Sequence, residues 1–194
     1  MKKLISLTLC AILCLSLFAG CGKQEAPASS TEGTTAPTYA SALEALNAVW
    51  ETIPEDDRFP AAGGDEARDA MDGPGSFDVN AYGETFQYQI LVDDELMGKL
   101  TGDAATLIHM MNTNTFCSAA MRVAEGTDVA AFAEHYKEIV QANHWMCGFP
   151  ETMVVLNLGD IVFTAYGHDD LIQLFKSGAQ SLGATLLVEA PAEA

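Results

Sequence analysis

The C-terminal half of the chain alternates between strand-like and helix-like hydrophobic patterns, and this alternation restricts the fold more than any other feature of the sequence. Residues 115–124 mix β-branched, aromatic and small side chains, which is typical of a strand. Residues 127–143 then carry apolar side chains at helical spacing, with Thr127 as a suitable N-cap. The apolar face of this expected helix consists of Val129, Phe132, Tyr136, Ile139 and Val140.

A hairpin, a second helix and a short final strand complete the pattern. We expect the hairpin strands at 152–156 and 161–166, a helix between Asp169 and Gly183, and the last strand at 185–189. This order predicts an α+β fold: a small antiparallel sheet in split βαβ (ferredoxin-like) order, with helices on one face and further helices N-terminal to it. The alternative is a three-stranded sheet whose last segment is a free tail.

The N-terminal half predicts helices around one long irregular segment. Residues 39–53 have apolar side chains at helical spacing, with Thr38 as a cap and Pro54 as a stop. Residues 55–83 are acidic and rich in glycine and proline, so we expect an irregular acidic loop with at most a short helix at 65–71. The remaining expected elements are a strand or helical turn at 86–91 and short helices at 93–100 and 103–111.

The first residues of the chain predict export and lipid attachment. Met1-Lys2-Lys3 is followed by an uncharged apolar run from Leu4 to Phe18, which is the pattern of a signal peptide. The next residues, Ala19-Gly20-Cys21, resemble the lipobox of bacterial lipoproteins. That resemblance implies a lipid on the Cys21 thiol and cleavage just before it, although Phe18 stands where the family usually has leucine. The alternative is an uncleaved membrane anchor, and both readings put the domain outside the cytoplasm.

The chain therefore divides into four expected parts. Residues 1–20 are the signal peptide, and residues 21–38 are the lipidated cysteine with a flexible linker that lacks large apolar side chains. Residues 39–190 form a single α+β domain, followed by a tail at 191–194. The net charge of −18, from 27 acidic and 9 basic residues, repels nucleic acid and excludes it as a partner. The acidity favours solubility outside the cell, with a cationic partner or bound cations as the alternative.

Three short sequences within the domain are similar to a family of small lipoproteins from Gram-positive bacteria. They are Met110-Met111-Asn112, the helix start at Thr127-Asp128-Val129 and the hairpin that ends at Tyr166. The resemblance covers about residues 39–177. It implies an anchored α+β domain of unknown function, and it transfers no functional residue to this chain.

Cysteine, histidine and methionine supply the candidate chemical groups. Cys117 and Cys147 would close a loop of about 30 residues if they formed a disulfide outside the cell, and two separately buried thiols are the alternative. Cys147 with His144 or His168 is the one candidate nucleophile pair. The other interpretation is a set of soft ligands for copper(I) or zinc. The alternative to such a metal site is that the methionines pack in the core. That candidate ligand set consists of His109, Met110, Met111, Cys117, His144, Met146 and Cys147.

Two clusters of acidic residues have simpler explanations than a functional site. Asp169 and Asp170 after His168 complement a helix dipole. Asp65, Asp69, Asp72 and Asp78 would be a candidate calcium loop, but they lack EF-hand spacing.

The sequence as a whole favours a membrane-anchored extracytoplasmic lipoprotein that acts as a binding or interaction module. Its sheet and the acidic loop are the expected contact surfaces, and an envelope protein is the expected partner. We predict no cofactor, metal site or catalytic residue. The alternatives are an extracytoplasmic hydrolase acting on envelope material and a metal- or solute-binding lipoprotein.

Overall fold

An antiparallel sheet organises the part of the chain that the computed structural model describes, residues 38–193. The strands of this part are β1 (Ala61–Gly63), β2 (Ala70–Met71), β3 (Gly75–Asp78), β4 (Leu100–His109), β5 (Phe116–Val123), β6 (Thr152–Leu158), β7 (Ile161–Gly167) and β8 (Thr185–Pro191). The α-helices are α1 (Ala42–Thr52), α2 (Gly83–Ile90), α3 (Asp94–Met97), α4 (Val129–Ala142) and α5 (Asp169–Ser181), with one turn of 3₁₀-helix at Glu55–Asp57. The predicted α+β class is confirmed.

The strand order is β2-β1-β4-β5-β7-β6-β8, and β3 also pairs with β4. All pairs are antiparallel. The expected final strand exists as β8, so the free-tail alternative is wrong. In a ferredoxin-like order the last strand would lie beside β5, but β4 already occupies that edge. The last strand therefore pairs with β6 instead.

Helices lie on both faces of the sheet, and the expectation of helices on one face is wrong. One core holds α1 and α5, and the other holds α2, α3 and α4. Parallel crossovers are right-handed in nearly all proteins. The crossovers β5–α4–β6 and β7–α5–β8 both step across the sheet towards β8, but the strands from which they start, β5 and β7, run in opposite directions. The same hand therefore requires α4 and α5 on opposite faces.

The expected helix at 103–111 is wrong, because residues 103–109 lie in β4. Residues 104–108 pair with β5, and Ala104 to Leu107 are buried. Cross-strand burial outweighs the helix preference of the alanines and leucine in this segment. The helix at 39–53 forms as α1, although Ser41 rather than Thr38 caps it. Likewise, Asp128 rather than Thr127 caps α4.

The acidic segment 55–83 contains β1, β2 and β3 rather than one irregular loop. Asp65 is 5% exposed, and its Oδ2 accepts a hydrogen bond from the Asp78 N–H at 2.8 Å. Arg68 Nη2 lies 3.1 Å from Asp65 and 3.0 Å from Asp78. The short helix expected at 65–71 is wrong, since residues 66–68 form turns and bends. These acids therefore stabilise the segment itself.

The expected anchor falls outside this description. Cys21, the signal peptide and nearly all of the linker at 21–38 lie outside the described residues. Within residues 38–193, none of the helices has the length and apolar composition needed to cross a membrane.

A histidine–carboxylate pair joins α3 to α4. Asp93 caps α3 by accepting the Leu96 N–H at 2.9 Å, and its other oxygen lies 2.7 Å from His135 Nε2. The hydrogen bond to Asp93 raises the pKa of His135, although partial burial opposes that shift. Burial alone would raise the pKa of Asp93, but the hydrogen bonds from Leu96 and His135 outweigh it and lower the pKa.

We expect His135→Gln to reduce stability in a pH-dependent way. The pKa of His135 is higher in the folded state than in the unfolded state, where it is about 6.5. The pair therefore contributes its full stabilisation below about pH 6.5, and this stabilisation disappears as the pH rises through the folded-state pKa. The side chains of His135 and Asp93 are 28% and 42% exposed, so solvent screening limits the effect. Urea denaturation should show a loss of about 0.5–1 kcal/mol near pH 5.5 that shrinks above pH 8.

The same measurement on His144→Gln is the control, because the His144 side chain is exposed and does not join two helices. A loss for His135→Gln that grows between pH 6 and pH 8 would contradict the assignment of this pair.

Candidate functional site

A cleft of about 540 Å³ lies among α2, the turn from β4 to β5 and the segment that follows α4. Tyr88 and Gln89 come from α2, and Asn112 and Asn114 come from the turn. The segment after α4 contributes 143–147, and Tyr166 of β7 completes the lining. None of the lining residues is aspartate, glutamate, lysine or arginine.

Two asparagine side chains hold the segment after α4 in place. Asn112 Nδ2 donates to the Cys147 carbonyl at 2.8 Å. Asn114 Nδ2 lies 3.1 Å from the Met146 carbonyl and 3.2 Å from the Gly148 carbonyl. Asn112 Oδ1 also accepts the Asn114 backbone N–H at 2.9 Å, so the turn's own backbone orients the Asn112 side chain. Backbone carbonyls of a loop need such partners when no helix or sheet supplies them.

The held segment has an unusual backbone. Cys147 has a positive φ of 60° although it carries a side chain, and Gly148 has a φ of 140°. A Cβ at position 148 would lie 2.7 Å from Asn112 Nδ2, so a glycine allows the close approach of the turn. Left-handed backbone at a residue with a side chain costs about 1–2 kcal/mol, and it persists where surrounding contacts hold it. The asparagine hydrogen bonds are those contacts, and they leave the Cys147 side chain exposed.

Buried hydroxyl and thiol groups fix α2, the opposite wall. The last carbonyls of a helix have no partners within the helix. The Tyr166 hydroxyl donates to the Gln89 carbonyl at 2.8 Å, and the Cys117 thiol donates to the same oxygen at 3.3 Å. The Tyr136 hydroxyl donates to the Ile90 carbonyl at 2.9 Å. Burial raises the pKa of the Cys117 thiol to about 12 and also raises the pKa of Tyr166, so both groups stay neutral donors.

The Trp145 indole forms one side of the cleft. Its ring centroid lies 5.1 Å from that of Tyr166, with the planes inclined at 54°. Its Nε1 is buried and has no hydrogen-bond partner among the described residues. A buried donor without an acceptor costs about 1–3 kcal/mol. The neighbouring Tyr88 and Met146 are 86% and 77% exposed, so the rim of the cleft is largely apolar and open to solvent.

The structure brings only part of the predicted candidate set together. His144, Trp145, Met146 and Cys147 all line the cleft. Cys117 instead lies under α2, and both it and Cys147 are free thiols. Among residues 38–193 there is no group of three or more His, Cys, Asp or Glu side chains able to hold a metal ion. The four aspartates considered for calcium are therefore not arranged as a site.

The other histidines have separate surroundings. His109 stacks on Phe59, with 5.7 Å between ring centroids and 15° between planes. Burial, and then the nearby His168, lower the pKa of His109. His168 is the N-cap residue of α5 and is exposed, while Asp169 and Asp170 lie in the first turn, as a helix start requires. Neither His109 nor His168 lines the cleft.

The sequence does not predict Tyr88, Gln89 or Asn114 as site residues, and Asn112 belongs only to the family resemblance. Asparagine on both sides of Thr113 between two strands is a turn signal that points to side-chain hydrogen bonds with nearby backbone. That signal does not identify the carbonyls of 146–148 as the partners. Tyr88 gives no warning, since an exposed tyrosine on a short helix is common.

Comparisons with known proteins found no match: no family, curated protein or solved structure matches the chain. The site is therefore interpreted from its own chemistry. Its walls are held by hydrogen bonds, contain no aspartate, glutamate, lysine or arginine, and are rich in amide and aromatic groups. This composition suits non-covalent binding of a small neutral group. A carboxylate to orient His144 towards Cys147 is not among the lining residues.

We expect iodoacetamide at pH 8, without reductant, to modify Cys147 and leave Cys117 unmodified in the folded chain. The thiolate is the reactive form, and Cys117 is buried with a pKa raised to about 12, whereas Cys147 is exposed. Peptide mapping by mass spectrometry would locate the label. In the control variant Cys147→Ser, Cys117 should stay unmodified until urea is added. If neither peptide were labelled until a reductant was added, the two residues would be joined by a disulfide.

Proposed function

We propose that this chain is a lipid-anchored binding module on the outer face of the cytoplasmic membrane, and that the cleft beside Trp145 is its binding site. The observation that carries the binding role is the composition of the cleft. In a chain with 27 acidic residues and a net charge of −18, the lining holds no carboxylate and no fixed positive charge. Binding sites are typically apolar and aromatic, with a few oriented polar groups, and this cleft has that composition.

Preorganised walls support the same proposal. The asparagine side chains of the turn fix 146–148, and the hydroxyl and thiol donors fix the end of α2. A ligand entering such a site pays little to order the protein, so more of its contact energy becomes affinity.

The proposed location rests on the sequence. The basic start, the apolar run and Ala19-Gly20-Cys21 have the composition and order of a lipoprotein signal. One lipid chain gives only reversible membrane binding, whereas two or more chains give a stable anchor. A diacylglyceryl group on Cys21 would supply two.

A cysteine-dependent hydrolase acting on envelope material is the second candidate. The observation that favours it is that exposed Cys147 and His144 line the same cleft. Binding is the better-supported role, because the lining contains no acid to orient the histidine. Turnover of envelope material that Cys147→Ser abolishes would reverse this ranking.

We expect Cys21→Ala to move the protein from the membrane fraction to the aqueous fraction. With the cysteine replaced, the lipid has no thiol to which it can be attached, and the stable anchor is lost. Expression in a Gram-positive host followed by detergent phase partitioning would measure the change. Cys147→Ala is the matched control and should stay with the detergent phase. If the unsubstituted chain retained its first twenty residues by mass and carried no lipid, it would have an uncleaved anchor instead.

We also expect the cleft to retain a small molecule from a soluble envelope extract. Native mass spectrometry of the full chain should show an added mass that is lost on Tyr88→Ala. Met71→Ala is the control, because Met71 is 61% exposed but does not line the cleft. An adduct that survives Tyr88→Ala, or a bare chain in every extract, would contradict the assignment of this cleft as the binding site.

A further inference from the structure

We infer that the ligand of the cleft is a neutral glycan containing an N-acetylated hexosamine. This inference rests on the proposed binding function and specifies its ligand class. It follows from three properties of the lining: an exposed tyrosine ring beside a half-buried tryptophan, several side-chain amides, and the lack of aspartate, glutamate, lysine and arginine.

The aromatic groups suit the flat, weakly apolar face of a sugar ring. One face of a pyranose presents C–H groups, whose positive edges are attracted to the negative face of an aromatic ring. Tyr88 is 86% exposed at the rim, so its ring is open to stacking. Trp145 is a second, half-buried aromatic group of the lining, and its ring packs against the buried ring of Tyr166.

The amides suit an acetamido group better than hydroxyls alone. Asn112 and Asn114 are engaged in holding 146–148, but Gln89 and Asn143 bring two further side-chain amides into the lining. Each amide is both a donor and an acceptor. An acetamido group likewise has an N–H donor and a carbonyl acceptor.

The acetyl methyl group requires an apolar neighbour, and the cleft supplies one. Leu91 and Met146 are part of the lining beside the amides. Methionine is flexible and polarisable, so it adapts to small apolar groups such as a methyl. A plain hexose has no methyl to place there, which predicts discrimination against it.

Charge separates this ligand class from the ionic ones. The strongly negative chain repels anionic ligands, and the lining offers no lysine or arginine to pair with them. A cationic ligand would select carboxylates, of which the lining has none. An uncharged glycan avoids both costs.

Tryptophan fluorescence offers a direct test with the full chain in a detergent that has no sugar headgroup. The chain has two tryptophans, and the Trp50→Phe background leaves Trp145 as the only one. Trp50 packs against Phe59 and Arg58 in the other core, so its removal leaves the cleft intact. The probe is N,N′-diacetylchitobiose, with cellobiose as the sugar that lacks acetamido groups.

We expect a saturable change with the acetylated disaccharide and a Kd on the order of 0.1–1 mM. Cellobiose should bind at least about tenfold more weakly, which corresponds to about 1.4 kcal/mol. In the same background, Tyr88→Ala should raise the Kd about tenfold or more, and Met71→Ala should leave it unchanged. Tyr88 is too exposed for its substitution to threaten folding.

Each contrary outcome overturns a definite statement. Equal binding of cellobiose and the acetylated disaccharide would exclude recognition of the acetamido group. If trialanine amide competed for the envelope adduct while neither sugar bound, the glycan class would be wrong and the binding function would stand. Absence of binding to both sugars together with absence of any envelope adduct would overturn both proposals.

Discussion

Pairing of β4 with β5 is the interaction on which the rest of the fold depends. β4 occupies the edge of β5 that the last strand of a ferredoxin-like sheet would take. The last strand is therefore added beside β6, and a right-handed crossover then brings α5 to the face opposite α4. The middle of the sheet is covered on both sides as a result, and every residue of β7 is buried. The same pairing ends in the turn that carries Asn112 and Asn114, so it also builds one wall of the cleft.

How far the sequence predicts this structure depends on how local each signal is. The elements from 115 to 189 follow from regular hydrophobic periods, and they form close to the expected positions. The alanines of the β4 segment favour helix, and only pairing with β5, which the sequence does not encode locally, makes the segment a strand. The short strands β1 and β2 have two or three residues, too few to show a period. The cleft was found only in part, since it joins three segments that are distant in the chain and whose contacts periodicity does not predict.

The acidic residues explain why the cleft can be neutral in so negative a chain. Many of the partly buried acids have structural partners elsewhere in the domain. Asp103 accepts from the Ala42 N–H at 3.0 Å at the start of α1 and lies 3.0 Å from Arg122 Nε on β5. Asp65 and Asp93 likewise accept from backbone N–H groups. Acidic side chains thus serve as helix caps and ion-pair partners, where N–H groups stabilise their charge. The cleft walls instead use amides, hydroxyls and a thiol, whose hydrogen bonds do not depend on pH near neutrality.

The side chains of Asn112 and Asn114, which hold the segment after α4, also limit which groups of the cleft remain for a ligand. The carbonyls of Met146, Cys147 and Gly148 already accept hydrogen bonds from Asn112 and Asn114, and the Gln89 carbonyl accepts two more. These four carbonyls are therefore already paired when a ligand arrives. Side-chain amides and aromatic rings distinguish ligands by shape and by the spacing of donors and acceptors, not by charge. A hydrogen-bonded backbone with half-buried amides and an exposed tyrosine ring consequently favours one neutral, shaped ligand over the many cations that an acidic surface attracts.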